Sequence, residues 1–160
     1  MSEVSSRLLV CVVDDEPVNI EILSNALKEE YNICVATNGE SALKLIRREN
    51  PDLVLLDVVM PGMGGFEVCR QLKAEEKTSK IPVIFVTALK DIESENSAFE
   101  AGGADFISKP ISPAVVKARV GRILDVKLYV DFLEAVVVRR DQSLEELREE
   151  VELLLDRTWS

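Results

Sequence analysis

Between Leu8 and Pro110, short apolar runs alternate with segments of helical period. The runs are Leu8–Val13, Ile33–Ala36, Leu53–Leu56, Ile81–Val86 and Phe106–Ile107. They are rich in β-branched residues, and four of the five are nearly continuous rather than alternating. Continuous apolar runs fit strands covered on both faces, as in a parallel sheet. Between them lie helical stripes: Ile20, Leu23 and Leu27; Ala42, Leu45 and Ile46; Phe66, Cys69 and Leu72; and a weaker set, Ile92, Ala98 and Phe99. Strand and helix therefore alternate throughout, which predicts an open, doubly wound α/β fold with a five-stranded parallel sheet and right-handed crossovers.

Proline and glycine mark the boundaries. Pro17 suits the first turn of a helix. Ser112-Pro113 pairs a cap with a first helical position. Pro61-Gly62-Met63-Gly64-Gly65 reads as the loop after the third strand, and Ala101-Gly102-Gly103-Ala104 as a left-handed helix stop.

After Pro113 there is no proline, and Gly121 is the last glycine, so Ser112–Asp156 reads as helix. Ile123, Val126, Val130, Leu133, Val137, Arg140, Leu144, Leu147, Val151 and Leu154 alternate spacings of 3 and 4, and nine of the ten are apolar. That is a coiled-coil seam, against the plainer alternative of an amphipathic helix folding back on its own domain. Leu124, Leu128 and Phe132 form a second stripe. Ser143 with Glu146 makes a capping-box pattern, a point where a helix can restart, and Arg140 interrupts the seam close to it. The expected organisation is a disordered N-terminus over 1–7, one domain over 8–125 and a helical extension over 126–160, a coiled coil or signalling helix.

Composition narrows the chemistry. The 160 residues hold 29 acids and 19 bases, a formal charge of −10. Such a chain lacks the footprint of a nucleic-acid or anionic-membrane binder, and the 9 acids and 5 bases of residues 126–160 repeat the point. It has no histidine, so His-based triads, general bases and zinc sites are excluded within it. Cys11, Cys34 and Cys69 are too scattered for a disulfide framework or a zinc pattern and read as small packed side chains. Reduced thiols, a polar N-terminus without a signal-peptide core and no long apolar run point to the cytoplasm.

Ligands of open α/β sheets bind beyond the carboxyl ends of the strands. There the chain places Asp14-Asp15, Asp57, Thr87-Ala88 and Lys109-Pro110. Each has an ordinary explanation as a cap, a strand end or a surface charge. At the ends of four strands together, they make coincidence a poor account. Three carboxylates in one cleft raise one another's pKa unless a hard cation sits among them, and all-oxygen ligation points to Mg²⁺ or Mn²⁺. A carboxylate, such a cation, a hydroxyl and a lysine are the parts of phosphoryl transfer, with the carboxylate able to act as nucleophile.

The segments Val12-Val13-Asp14-Asp15-Glu16, Leu55–Gly65, Val86-Thr87-Ala88 and Asp105–Pro110, in this order and spacing, resemble the receiver domain of two-component response regulators. The resemblance covers about Leu8 to Asp125 and implies a flavodoxin-like strand order of 2-1-3-4-5. It implies that Asp57 accepts a phosphoryl group from a phosphohistidine on a sensor histidine kinase or phosphotransfer protein. Asp14, Asp15, Asp57 and the backbone carbonyl of Val59 would hold the metal. Lys109, Thr87 and the Ala88 amide would meet the phosphoryl oxygens, Phe106 would turn inward, and Lys109-Pro110 would be cis. The phosphoryl charge would then bias a two-state equilibrium of helix four, strand five and helix five. Val59 and Leu89, two residues past Asp57 and Thr87, are apolar and unable to orient water, so slow self-dephosphorylation is expected.

Three functions compete. The first is a switch whose output is homodimerisation or helix rotation through the seam. Its junction, Lys109–Val126, is similar to receivers that precede cyclic-di-nucleotide synthases or phosphodiesterases, so the chain would be a regulatory fragment. The second is a stand-alone receiver serving as a phosphorelay intermediate or docking protein. The third, a Mg²⁺-dependent phosphatase, lacks the Asp-x-Asp expected on its first strand, and no catalytic turnover is expected of the chain.

Overall fold

The computed structural model describes residues 7–88 and 92–158. Its elements are β1 (Leu9–Val13), α1 (Pro17–Leu27), β2 (Asn32–Ala36), α2 (Gly39–Glu49), β3 (Leu53–Leu56), α3 (Gly65–Ala74), β4 (Val83–Thr87), α4 (Ile92–Glu100), β5 (Asp105–Ser108) and α5 (Pro113–Thr158). The strands form one parallel sheet in the order β2-β1-β3-β4-β5.

Neighbouring residues of each central strand bury on opposite faces. Cys11, Val13, Val54, Leu56, Val83 and Phe85 belong to one core, which also takes in side chains of α2 and α3. Val10, Val12, Leu53, Leu55, Ile84 and Val86 belong to the other, with Leu23 and Leu27 of α1 and Val116, Val120 and Leu124 of α5. Both faces exclude water, so the central runs are apolar throughout. β2 departs from this. As an edge strand it leaves Asn32 and Val35 exposed.

Two boundaries moved for physical reasons. β4 starts at Val83 rather than Ile81 because Pro82 has no N–H for the ladder, and only its carbonyl serves, accepting from the Val54 amide at 3.0 Å. β5 extends outward to Asp105, whose carboxylate accepts from Arg119 Nη1 at 2.9 Å and Arg122 Nη2 at 3.0 Å on α5.

The loop between α3 and β4 is tied down by polar side chains. Lys73 Nζ donates to the carbonyls of Ser79 at 3.0 Å and Ile81 at 2.6 Å, and burial lowers its pKa. Thr78, fully buried, donates its hydroxyl to the Leu72 carbonyl at 2.6 Å near the end of α3. Thr78→Val keeps the shape and strands that carbonyl. We expect a loss of about 1–3 kcal/mol, read from urea denaturation with an unchanged m-value.

The chain divides into two compact units, Met1–Leu124 and Asp125–Ser160. α5 is continuous through Thr158. The capping-box pattern at Ser143 therefore does not restart a helix, because the surrounding Leu, Glu and Arg residues are good helix formers with no proline or glycine among them. Ile123 packs against the second core. Val126, Val130, Leu133, Val137, Leu144, Leu147 and Val151 are all exposed, and Leu154 lies among the side chains not described. No helix among the described residues is long and apolar enough to cross a membrane.

Candidate phosphoryl and metal site

β1 and β3 end side by side, with Val13 paired to Leu56. The next residues, Asp14 and Asp57, therefore emerge together at the carboxyl rim. Backbone bonds fix both, since the Asp57 amide donates to the Val13 carbonyl at 2.9 Å and the Asp14 amide to that of Ala36 at 3.3 Å. Both side chains are buried, whereas Asp15 is exposed. One carboxylate oxygen from each of the three lies within 4.8 Å of the others.

Lys109 completes the cluster from the end of β5. Its ammonium donates to Asp14 Oδ2 at 3.0 Å and Asp57 Oδ2 at 3.2 Å. The other oxygens are held by the backbone: the Glu16 amide donates to Asp14 Oδ1 at 2.9 Å and the Val59 amide to Asp57 Oδ1 at 3.3 Å. Burial, with the Asp14 charge behind it, still pushes the Asp57 carboxyl above its ordinary pKa, against the opposing pull of Lys109. For Lys109, burial favours the neutral amine, but the two carboxylates outweigh it and raise its pKa. The cluster thus holds more negative charge than one ammonium balances. That imbalance and an all-oxygen donor set suit a hard divalent cation.

Thr87, Ala88 and Val59 line the same cleft, whereas Phe106 and Pro110 line a separate one. Thr87 is buried at the end of β4, and its carbonyl accepts from the Lys109 amide at 2.8 Å. Ala88 and Val59 are both exposed at the cleft's edge. Phe106 is buried in the first core, and Lys109-Pro110 is cis. Leu89 lies outside the described residues.

Gly65 is a part the sequence reading missed. A Cβ there would stand 2.1 Å from the Asp57 carbonyl oxygen and 2.9 Å from Val58 Cα, so the start of α3 lies directly against the backbone carrying Asp57. Its amide donates to the Val58 carbonyl at 2.9 Å. Glycine in a loop signal was legible, but this close approach was not. Gly65→Ala is expected to cost about 1–3 kcal/mol through overpacking, with NMR shifts of the Asp57 and Val59 amides as the local readout.

The fold is a parallel five-stranded sheet with an acidic trio and one lysine on its carboxyl rim, and comparison with known proteins assigns it to a family. The profile of the response regulator receiver domain matches residues 10–121, and the chain belongs to that family, a receiver domain of two-component signalling. It is 39% identical over 153 residues to a Vibrio cholerae protein named "Probable cyclic di-GMP phosphodiesterase", covering 91% of this chain and 35% of the relative. It is 42% identical over 130 residues to response regulator PleD of Caulobacter vibrioides, covering 81% and 28%. The chain thus spans about a third of these relatives. Among solved structures it is similar to the receiver domain of a signal transduction histidine kinase from Syntrophus aciditrophicus, at TM-score 0.68 and 36% identity over 73% of this chain and 89% of that one. It is also similar to DrrB of Thermotoga maritima, at TM-score 0.69 and 33% identity over 76% and 54%.

Proposed function

We propose that the chain is a phosphorylation-dependent switch that accepts a phosphoryl group on Asp57 from a sensor histidine kinase or phosphotransfer protein. The observation carrying this reading is the buried Asp57 carboxylate, joined to Lys109 and set beside Asp14 and Asp15. One oxygen of Asp57 attacks the donor phosphorus, the bond to the donor nitrogen breaks, and Lys109 balances the charge arriving on the phosphoryl oxygens. Asp14, Asp15, Asp57 and the Val59 carbonyl would hold Mg²⁺ or Mn²⁺, which supplies further charge neutralisation when bound. Thr87 and the Ala88 amide then gain phosphoryl partners, and with Phe106 and Pro110 they carry the change through α4 and β5 into α5.

The domain boundaries at 8–125 and 126–160 go with this function. Residues 126–160 serve as the output segment, forming a homodimer through the seam. The names of the Vibrio and Caulobacter relatives support a regulatory role toward a cyclic-di-nucleotide synthase or phosphodiesterase. The second reading, a stand-alone relay or docking receiver, rests on the same exposed seam residues, which would then serve a foreign helix. A cytoplasmic location suits a histidine-kinase partner, and neither nucleic acid nor membrane is a direct partner at this charge.

Incubation with acetyl phosphate and Mg²⁺ tests the switch. One phosphoryl group per chain is expected by intact mass. The apolar Val59 flank predicts that it persists far longer than seconds after the donor is removed. Absence of labelling opposes the switch reading, and loss within seconds opposes the slow-release one.

A further inference from the structure

Cys11 and Cys34 play no part in phosphoryl chemistry, yet the sheet sets them side by side. They are register partners on β1 and β2. Both face the first core, with Cys11 fully buried and Cys34 half-buried against it on the edge strand. Adjacent strands run about 4.7–4.9 Å apart, inside the Cα separation of about 4.4–6.8 Å that a disulfide accepts. Cys69, also buried on this face, belongs to α3 rather than to either strand.

We propose that Cys34 and Cys11 are a peroxide-responsive dithiol, with Cys34 the attacking sulfur and Cys11 the resolving one. The asymmetry between them assigns the roles. Cys34 is the one peroxide can reach, and it sits under the end of α2. The neighbouring Cys11 thiol, as hydrogen-bond donor, lowers its pKa, and the Arg48 charge adds to this against burial and Glu49. Cys11 is held protonated by its pairing with Cys34 and by burial. A more acidic, accessible thiol beside a resolving partner is the arrangement that oxidises selectively.

The chemistry balances with hydrogen peroxide as oxidant. The Cys34 thiolate attacks one peroxide oxygen, the O–O bond breaks, and hydroxide leaves a sulfenic acid on Cys34. The Cys11 sulfur then attacks the Cys34 sulfur. The S–O bond breaks, the S–S bond forms, and water departs with the Cys11 proton. Two thiols are oxidised and one peroxide is reduced to two waters.

The test uses the whole chain. It is treated with peroxide, quenched with catalase, alkylated in denaturant and mapped by mass spectrometry. Free thiols are expected to fall from three to one, with a Cys11–Cys34 cross-linked peptide that a reductant reverses. Cys69, its thiol pushed up to about 11 by burial, should stay alkylatable as the internal control. In Cys34→Ser both remaining thiols should survive the same exposure. The proposal is overturned if all three thiols persist at peroxide levels that oxidise glutathione. It is equally overturned if Cys34 is lost only to an intermolecular bond or to sulfinic acid. The wild-type readout stands even if the variant folds poorly.

Discussion

Asp57→Asn is expected to abolish phosphoryl incorporation from acetyl phosphate while leaving the fold intact, and to change how stability depends on pH. An amide oxygen is a poor nucleophile toward phosphorus, so the intact-mass signal of the labelled chain disappears. The stability effect follows from burial. In the folded chain the Asp57 carboxyl has a raised pKa, first from burial and then from Asp14. The native state therefore binds a proton more readily than the unfolded chain does. Its unfavourable contribution is absent below the ordinary Asp value and grows as pH rises through the raised one. The stability of the wild type minus that of the variant should thus fall with rising pH across that window. It should be measured by urea denaturation in chelator, so that no cation compensates the charge. A flat difference curve would show that Lys109 already neutralises the pair. Retained labelling would move the acceptor away from Asp57.

The second large effect is expected in the extension. Leu144→Ala with Leu147→Ala should turn a dimer into a monomer by sedimentation equilibrium. Each leucine is more than half exposed in the single chain, and full burial of such a side chain is worth about 1.5–3 kcal/mol. Four are lost per dimer and about 0.6 of each side chain remains to be buried on association, so even the low end, about 4 kcal/mol, weakens association by roughly three decades. The seam also specifies geometry. Beyond Ile123, which packs on the second core instead, its a positions hold Val130, Val137, Leu144 and Val151, and its d positions include Leu133, Leu147 and Leu154. β-branched residues at a with leucine at d favour two parallel strands. Arg140, at a d position, then meets its own copy across the seam, so Arg140→Leu should shift the equilibrium the other way. A mass unchanged by both variants would favour the docking reading over self-association.

Much of this was readable from the chain because burial on two faces writes itself into composition. The central strands are apolar throughout since water reaches neither face, and the rim residues follow the strand ends in order. Less legible were features that depend on distant partners. Asp105 lay outside the fifth apolar run, and its place in β5 goes with its bonds to Arg119 and Arg122 of α5. The Lys109 ammonium spans 95 residues to Asp14 and 52 to Asp57; its place on the shared rim was legible from the strand ends, but its bond to both carboxylates at once was not. Gly65 carried a loop signal, but its close fit beneath Asp57 depends on how α3 enters. The capping pattern at Ser143 was a true local preference overruled by the helix formers around it.

The unbroken run of α5 makes the extension a spacer with a phase. An α-helix rises about 1.5 Å per residue, and the seam repeats every seven residues. Natural or engineered length changes beyond Val126 are therefore free only in whole heptads, about 10 Å each, which preserve the face presented to a partner. Any other increment turns everything downstream about the helix axis relative to the seam upstream of it. Lengthening this helix is thus a different operation from lengthening a loop, because distance and orientation change together.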